Sequence, residues 1–228
     1  MKKTKQAVSA LAAAALLLAA LGGSAIAASA DKTAAETKLK ALIDAGIVSG
    51  DQQGNLNLGA NITRAQLAII MVRAFGLESE AKPPVQTPTF TDVAPGSWYS
   101  GYISAAKNLI EDNGYTLGTG DGKFNPNGNV TSAEAVALLC KFLGIQPDAT
   151  TADWSAAYVK AALEKGILDA NSAKGISKTK PATRETVFTY ANTAFGAVKD
   201  KEGRTVYDKL KEGVGSGVYN KKESGTAP

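Results

Sequence analysis

The phrase "NITRAQLAII" at residues 61–70 is written three times: it returns as "NVTSAEAVAL" at 129–138 and as "PATRETVFTY" at 181–190. Aligned on Thr63, Thr131 and Thr183, the copies extend well beyond the phrase. Gly46, Gly114 and Gly166 lie 17 residues before the threonines, and Gly76, Gly144 and Gly196 lie 13 after them. Marks held in step over 31 ungapped residues are the signature of a repeat architecture. They oblige the chain to build one supersecondary unit three times.

The residues after each threonine carry a helical stripe: Leu67, Ile70, Met71, Ala74, Phe75; Ala135, Leu138, Leu139, Phe142, Leu143; Val187, Tyr190, Ala191, Ala194, Phe195. This i, i+3, i+4, i+7 spacing predicts one apolar face per helix. The closing glycine of "FG", "LG" and "FG" is expected to stop each helix as a left-handed C-cap. A shorter helix precedes each register, marked by Leu39, Leu42 and Ile43, by Ile103, Ala106 and Ile110, and by Val159, Ala162 and Leu163. Each copy therefore reads as helix, loop of about fifteen residues, helix. A pair of helices cannot bury its own apolar face, so the three copies are expected to share one core in an all-α fold. The loops are in register too, with Gly50 matching Gly118, Gly54 matching Gly122, and Leu56, Phe124 and Ile176 at one apolar position expected to plug the loop onto the core.

Residues 1–30 read differently. "MKKTK", an apolar run and "SAIAASA" follow the order of a secretory signal, with cleavage expected after Ala30 or, as a second choice, Ala27. The apolar run breaks at Gly22, Gly23 and Ser24, short of the ~20 residues that a spanning helix needs, so no stable membrane insertion is expected after cleavage. Without Lys2, Lys3 and Lys5, the chain's 25 basic residues fall to 22, against 21 acidic ones. That near-neutral balance lacks the electrostatic footprint of a nucleic-acid binder. The single cysteine, Cys140, lies in an apolar helical run, excludes an intramolecular disulfide and reads as a buried thiol.

Thr63 with Gln66 and Thr131 with Glu134 have the spacing of a capping box, in which each side chain satisfies an orphan helix N–H. That explains the threonines but not Arg64 and Arg184. A cation in the first helical turn opposes the macrodipole, and a residue set against local preference points to another use, such as an anionic ligand. Upstream, "FTDVAPGSW" and "QPDATTADW" place Asp92 six residues before Trp98 and Asp148 six before Trp154. A tryptophan at a helix start is either a core anchor or a stacking wall for a sugar ring, and an aspartate there is either a cap or a hydroxyl acceptor. The first copy has Ala34 in place of the tryptophan. "GTGDGKFNPNG" imitates a calcium loop, but counting from Asp121 puts Ser132 where a bidentate glutamate is needed. The chain has no histidine, no zinc spacing and no nucleophile–base pair, so no metal, cofactor or nucleophilic catalysis is expected. Counting leaves carboxylate pairs for glycoside hydrolysis open, but nothing marks one out and no enzyme is expected.

The order "FTDVAPGSWYSGYISAAKNLI…GDGKFNPNGNVTSAEAVALLCKFLG" resembles the S-layer homology repeat. That pattern runs FxDV, Trp, a helix, a glycine-containing loop with F-x-P, then I-T-R-A-E and a second helix ending in L-G. The resemblance implies three repeats sharing a core around a pseudo-threefold axis, with grooves between neighbours that bind secondary cell-wall polysaccharide, often through a pyruvate ketal. It makes Arg64 and Arg184 the expected carboxylate-binding arginines and Asp92, Trp98, Asp148 and Trp154 the groove residues. Thr63, Thr183, Thr131 and Glu134, at the helix starts beside them, are expected to bind the polysaccharide as well. Two departures make the grooves unequal: Ser132 replaces an arginine, and the first copy lacks its opening motif. Arg64 is expected to pair with Asp92 and Trp98, and Arg184 to face the first copy.

The expected organisation is a signal at 1–30, repeats at 31–80, 90–146 and 147–198, a proline-rich extended connector at 81–89, and a polar tail with one short helix at 199–228. The expected role is noncovalent anchoring to the bacterial wall or S-layer. The alternative is a cell-surface scaffold that binds a protein partner through its repeats or its tail.

Overall fold

A computed structural model describes residues 35–147 and 150–213. Residues 1–34, where the signal is expected, Asp148, Ala149 and the last fifteen residues lie outside the described part. The chain divides into two units, residues 1–40 and 41–228. In the first, residues 35–40 form a helical turn in which Leu39 N donates to Ala35 O at 3.2 Å. The helices are α1 (Lys40–Asp44), α2 (Arg64–Ala74), α3 (Ser100–Asp112), α4 (Ser132–Phe142), α5 (Trp154–Glu164), α6 (Ala170–Lys174), α7 (Arg184–Ala197) and α8 (Val206–Lys211). Among the described residues the extended pairing is confined to isolated bridges, and the fold is all-α. No described helix is long and apolar enough to cross a membrane.

The three recurring phrases meet. Ile62 N donates to Ala182 O at 3.3 Å, Ala182 N to Val130 O at 2.8 Å, and Val130 N to Ile62 O at 3.0 Å, which closes a cycle of three hydrogen bonds. Each residue lies one position before its aligned threonine, and all three are buried. Antiparallel bridges flank the cycle at Asn61–Thr183, Thr63–Asn129 and Thr131–Pro181. The cycle satisfies backbone groups that burial would otherwise leave unpaired.

From this hub α2 and α4 run through the middle of the unit. Nine residues of eleven are buried in each, so the single apolar face expected of them is wrong: an apolar stripe marks one contact, and these helices have neighbours on several sides. α4 packs against α2, α3, α5 and α7. Leu67, Met71, Phe75, Leu139, Phe142, Val187 and Phe195 are all under 2% exposed. α7, by contrast, does bury one face, through Val187, Phe188, Tyr190, Ala191, Ala194 and Phe195. The preceding helices are not uniformly shorter, since α3 has 13 residues and α5 has 11. Ile43 and Leu163, read as core marks, are exposed; α5 instead buries Ala157, Tyr158, Ala161 and Ala162. Leu56 and Phe124 do plug their loops, while Ile176 is only half-buried, next to the short helix α6.

Two of the three glycine stops hold. Gly76 and Gly144 sit at φ 69° and 67°, and the residues after them close six-residue rings, Leu77 N to Val72 O and Ile145 N to Cys140 O. Gly196 does not stop α7, which continues to Ala197 and is followed by buried Val198. The chain beyond it folds back. Tyr207 meets Phe195 edge to face at 6.3 Å and donates its hydroxyl to Asn192 at 2.6 Å, and Val206 is buried. Lys209 pairs with the buried carboxylate of Asp200 at 2.6 Å. In the 81–89 segment Ala81 is buried, and Val85 N donates to the Ser100 hydroxyl at 3.0 Å.

Candidate functional site

The helix starts are built as the sequence suggests. Thr63 caps α2, with Gln66 N donating to its hydroxyl and Thr63 N donating to Gln66 Oε1 at 3.1 Å. Thr131 and Glu134 repeat the arrangement on α4, and Thr183 caps α7 through Thr186 N. The next N–H groups, orphans in a free helix, are taken up by carbonyls of the neighbouring copy. Arg64 N and Ala65 N reach Gly128 O and Pro126 O, and Arg184 N and Glu185 N reach Ala60 O and Leu58 O. At the third junction Ala133 N reaches Ser177 O.

This docking carries the arginines inward. Arg64 is 6% exposed, donates Nε to Phe124 O at 2.7 Å and lies over the Phe124 ring at 5.1 Å. Arg184, half-buried, repeats the contact to Leu56 O at 2.8 Å and lies over Phe188 at 4.8 Å. Each guanidinium thereby pins a loop plug of the next copy. Burial pulls both arginines below their ordinary pKa, and for Arg64 the charges of Glu134 and Asp92 oppose that fall. At the third junction Ser177 N donates to the Ser132 hydroxyl at 2.8 Å. Loop and helix start meet there through a hydroxyl in place of a guanidinium.

Two grooves open beside the arginines. One, of about 210 Å³, brings Arg184 together with Trp98 and with Gln66, Ile69, Ile70 and Arg73 of α2. The other, of about 510 Å³, brings Arg64 together with Trp154 and Tyr158 and with Glu134, Leu138 and Lys141 of α4. Trp98 and Trp154 are 63% and 47% exposed, so neither is a core anchor. An exposed indole beside an arginine at the groove wall offers a stacking face for a ring and a donor for an anion.

The expected partnership of Arg64 with Trp98 is thus overturned: Arg64 shares its groove with Trp154, and Arg184 shares one with Trp98. One groove takes its arginine from the third phrase, its long helix from the first and its tryptophan from the stretch before the second. The other takes them from the first, the second and the stretch before the third. Asp92 belongs with Arg64 by another route. Its two oxygens accept from Phe124 N at 2.8 Å and Asn125 N at 2.7 Å, which holds the loop whose carbonyl Arg64 grips. Asp148 lies outside the described residues. Asp153 caps α5, accepting from Ser155 N at 2.9 Å, and pairs with Lys178 at 2.8 Å. Those contacts hold its carboxyl well below the usual range.

Sequence reasoning missed Arg73 and Lys141 as groove residues. A signal was present: they stand ten residues after Thr63 and Thr131, seven after Gln66 and Glu134, and so on the same helix face. Arg73 Nε approaches Glu78 at 3.4 Å, and Glu78 also holds Lys82 at 2.9 Å. Lys141 Nζ donates to Thr116 O at 3.3 Å. Burial, and then the charge of Arg64, lowers the Lys141 pKa.

Comparison with known proteins places these features. Residues 29–68 and 89–136 match the S-layer homology domain, and each match ends in the first turns of α2 or α4. Over 144 residues, 63% of the chain, it is 33% identical to a surface layer protein of Brevibacillus choshinensis. Over 112 residues, 49% of the chain, it is 36% identical to the middle cell wall protein of Brevibacillus brevis. Over 163 residues, 66% of the chain, it is 28% identical to the surface-layer 125 kDa protein of Lysinibacillus sphaericus. The chain spans 12%, 10% and 13% of the lengths of these relatives. Taken together, the matches indicate a secreted, cell-surface chain that carries S-layer homology sequence in two segments.

Proposed function

We propose that the chain holds noncovalently to the bacterial cell wall by binding an anionic secondary wall polysaccharide, of the pyruvate-ketal type, in grooves between three tandem S-layer homology repeats. The third repeat is residues 147–198, which carry the register of the other two. The role is one of binding, without catalysis. The observation that carries the reading is the pairing of one exposed tryptophan with one arginine, Arg64 buried and Arg184 half-buried, in each of two separate grooves. Stacking on the indole supports a sugar ring, and the guanidinium, with Nε committed to a loop carbonyl, keeps its terminal N–H groups for a carboxylate. Thr63, Thr131, Thr183 and Asp92 support the site from behind by fixing helix starts and loop.

The test is equilibrium binding of the protein to purified walls that bear the polysaccharide and to walls stripped of it. Saturable binding lost on stripped walls is expected. Unchanged affinity in a correctly folded Arg64→Ala, Arg184→Ala double variant sinks the proposal.

A further inference from the structure

The Trp98 and Trp154 grooves share a frame but not a charge. Counted from the capping threonine, the third and tenth residues of the long helix line each groove: Gln66 and Arg73 in one, Glu134 and Lys141 in the other. The tenth position is cationic in both. The third differs by a full charge. Gln66 Oε1 accepts from Thr63 N, so its amide group remains a donor. Glu134 Oε2 accepts from Thr131 N at 2.8 Å and from the Thr131 hydroxyl at 3.0 Å, and the carboxylate charge acts on Arg64, as does that of Asp92.

In the Trp98 groove the carboxylate nearest Arg73 is Glu78, which is divided between Arg73 and Lys82, so that cluster keeps a net positive charge. No ion pair to Arg184 forms among the described residues. The positive charge there is offset only in part, by Glu78 at Arg73, whereas in the Trp154 groove two carboxylates, Glu134 and Asp92, act on Arg64.

Resting on the reading of both grooves as sugar sites, we infer that they are graded by charge and that the third helical position is their specificity-determining residue. The Trp98 groove, with Gln66, favours a dianionic sugar over a monoanionic one; the Trp154 groove, with Glu134, favours it less or not at all. A carboxylate within several ångströms acts on each unit of ligand charge, so its presence changes the dianion-to-monoanion preference by about threefold to tenfold in a half-solvated site. The position can be exchanged without dismantling the helix start. A capping box accepts glutamate or glutamine, and each residue already fills this place in the other helix.

The chain has two tryptophans, one in each groove, which makes each site separately readable. Trp154→Phe in the full chain leaves Trp98 as the fluorescent reporter, and Trp98→Phe leaves Trp154. Each is titrated with glucuronic acid and with glucose 6-phosphate at about pH 8, above the second phosphate pKa of about 6. The phosphate-to-carboxylate affinity ratio is expected to be higher at Trp98. Glu134→Gln should raise the ratio at Trp154, and Gln66→Glu should lower it at Trp98, each by about threefold to tenfold. Equal ratios, ratios indifferent to both exchanges, or a Trp98 groove that takes neither sugar would overturn the inference. Retention on polysaccharide-bearing walls, measured on the same variants, separates the two ideas. Equal ratios with intact wall binding defeat the charge grading alone, whereas wall binding indifferent to Arg64 and Arg184 defeats the anchoring reading.

Discussion

Arg64 and Arg184 each face two ways, and substitution should show both. The Nε bond to a loop carbonyl is structural, and removing it strands Phe124 O or Leu56 O beneath the surface. Arg64→Ala should lower unfolding free energy by about 1–3 kcal/mol, read by chemical denaturation, and Arg184→Ala by less because that side chain is only half-buried. Each change should also weaken its own groove roughly tenfold to a hundredfold, the worth of one charge-assisted contact. Lysine at position 64 should restore part of the binding but little of the stability, since it keeps the charge and loses the planar fork. Cys140 is the converse case, a side chain with one role. Burial pushes its thiol up to about 12, so alkylation by iodoacetamide at about pH 8 should be negligible until the protein is unfolded. Rapid labelling of the native protein would contradict the packing described for α4.

Helices differ most from expectation where they end. Gly76 and Gly196 occupy the same register, yet only Gly76 adopts a positive φ. Gly76→Ala should therefore cost about 1 kcal/mol, while Gly196→Ala, inside α7 and facing the Tyr207 ring at an ordinary 3.7 Å, should be neutral or stabilise by up to about 1 kcal/mol. Thermal melts of the pair read the contrast directly. The element beyond Gly196 carries its own pH signature. Burial would raise the Asp200 pKa, but Lys209 and the backbone N–H of Arg204 outweigh it and hold the carboxyl at about 2, below its ordinary 3.8. A depressed carboxylate contributes stability that is fully present above the unfolded pKa and is lost as pH falls through the folded one. Stability should thus drop by about 2 kcal/mol between about pH 4 and pH 2, and Asp200→Asn should remove that dependence from acid titrations of the melting temperature. The long helices, their caps and the loop plugs Leu56 and Phe124 were legible in the sequence, because each follows from local chemistry that a repeated register makes visible. The extra length of α7 was not, since it depends on Tyr207 and Asp200 folding back from a stretch whose composition reads as polar tail.

At the scale of the molecule, three phrases in a line meet in one cycle of hydrogen bonds, and the linear register could not reveal which arginine meets which tryptophan. Arg64 and Trp154 are 90 residues apart, and their meeting is a property of the order around the hub. Cyclic closure also predicts cooperativity. Deleting residues 145–228 removes Ala182 from the cycle and α5 and α7 from the flanks of α4, so the remainder should lose its sharp thermal transition; a truncated protein melting near the intact one would refute a shared core. The cycle has a further consequence in time. Its members stand 68 and 52 residues apart along the chain, and the last is Ala182. Contacts between such distant segments form late, after the entropy of closing long loops has been overcome. A nascent chain that has reached the second phrase holds two thirds of a ring and no hub. Commitment to the fold should therefore wait for the third phrase, and a chain ending before it should show no folding step that corresponds to closure of the hub.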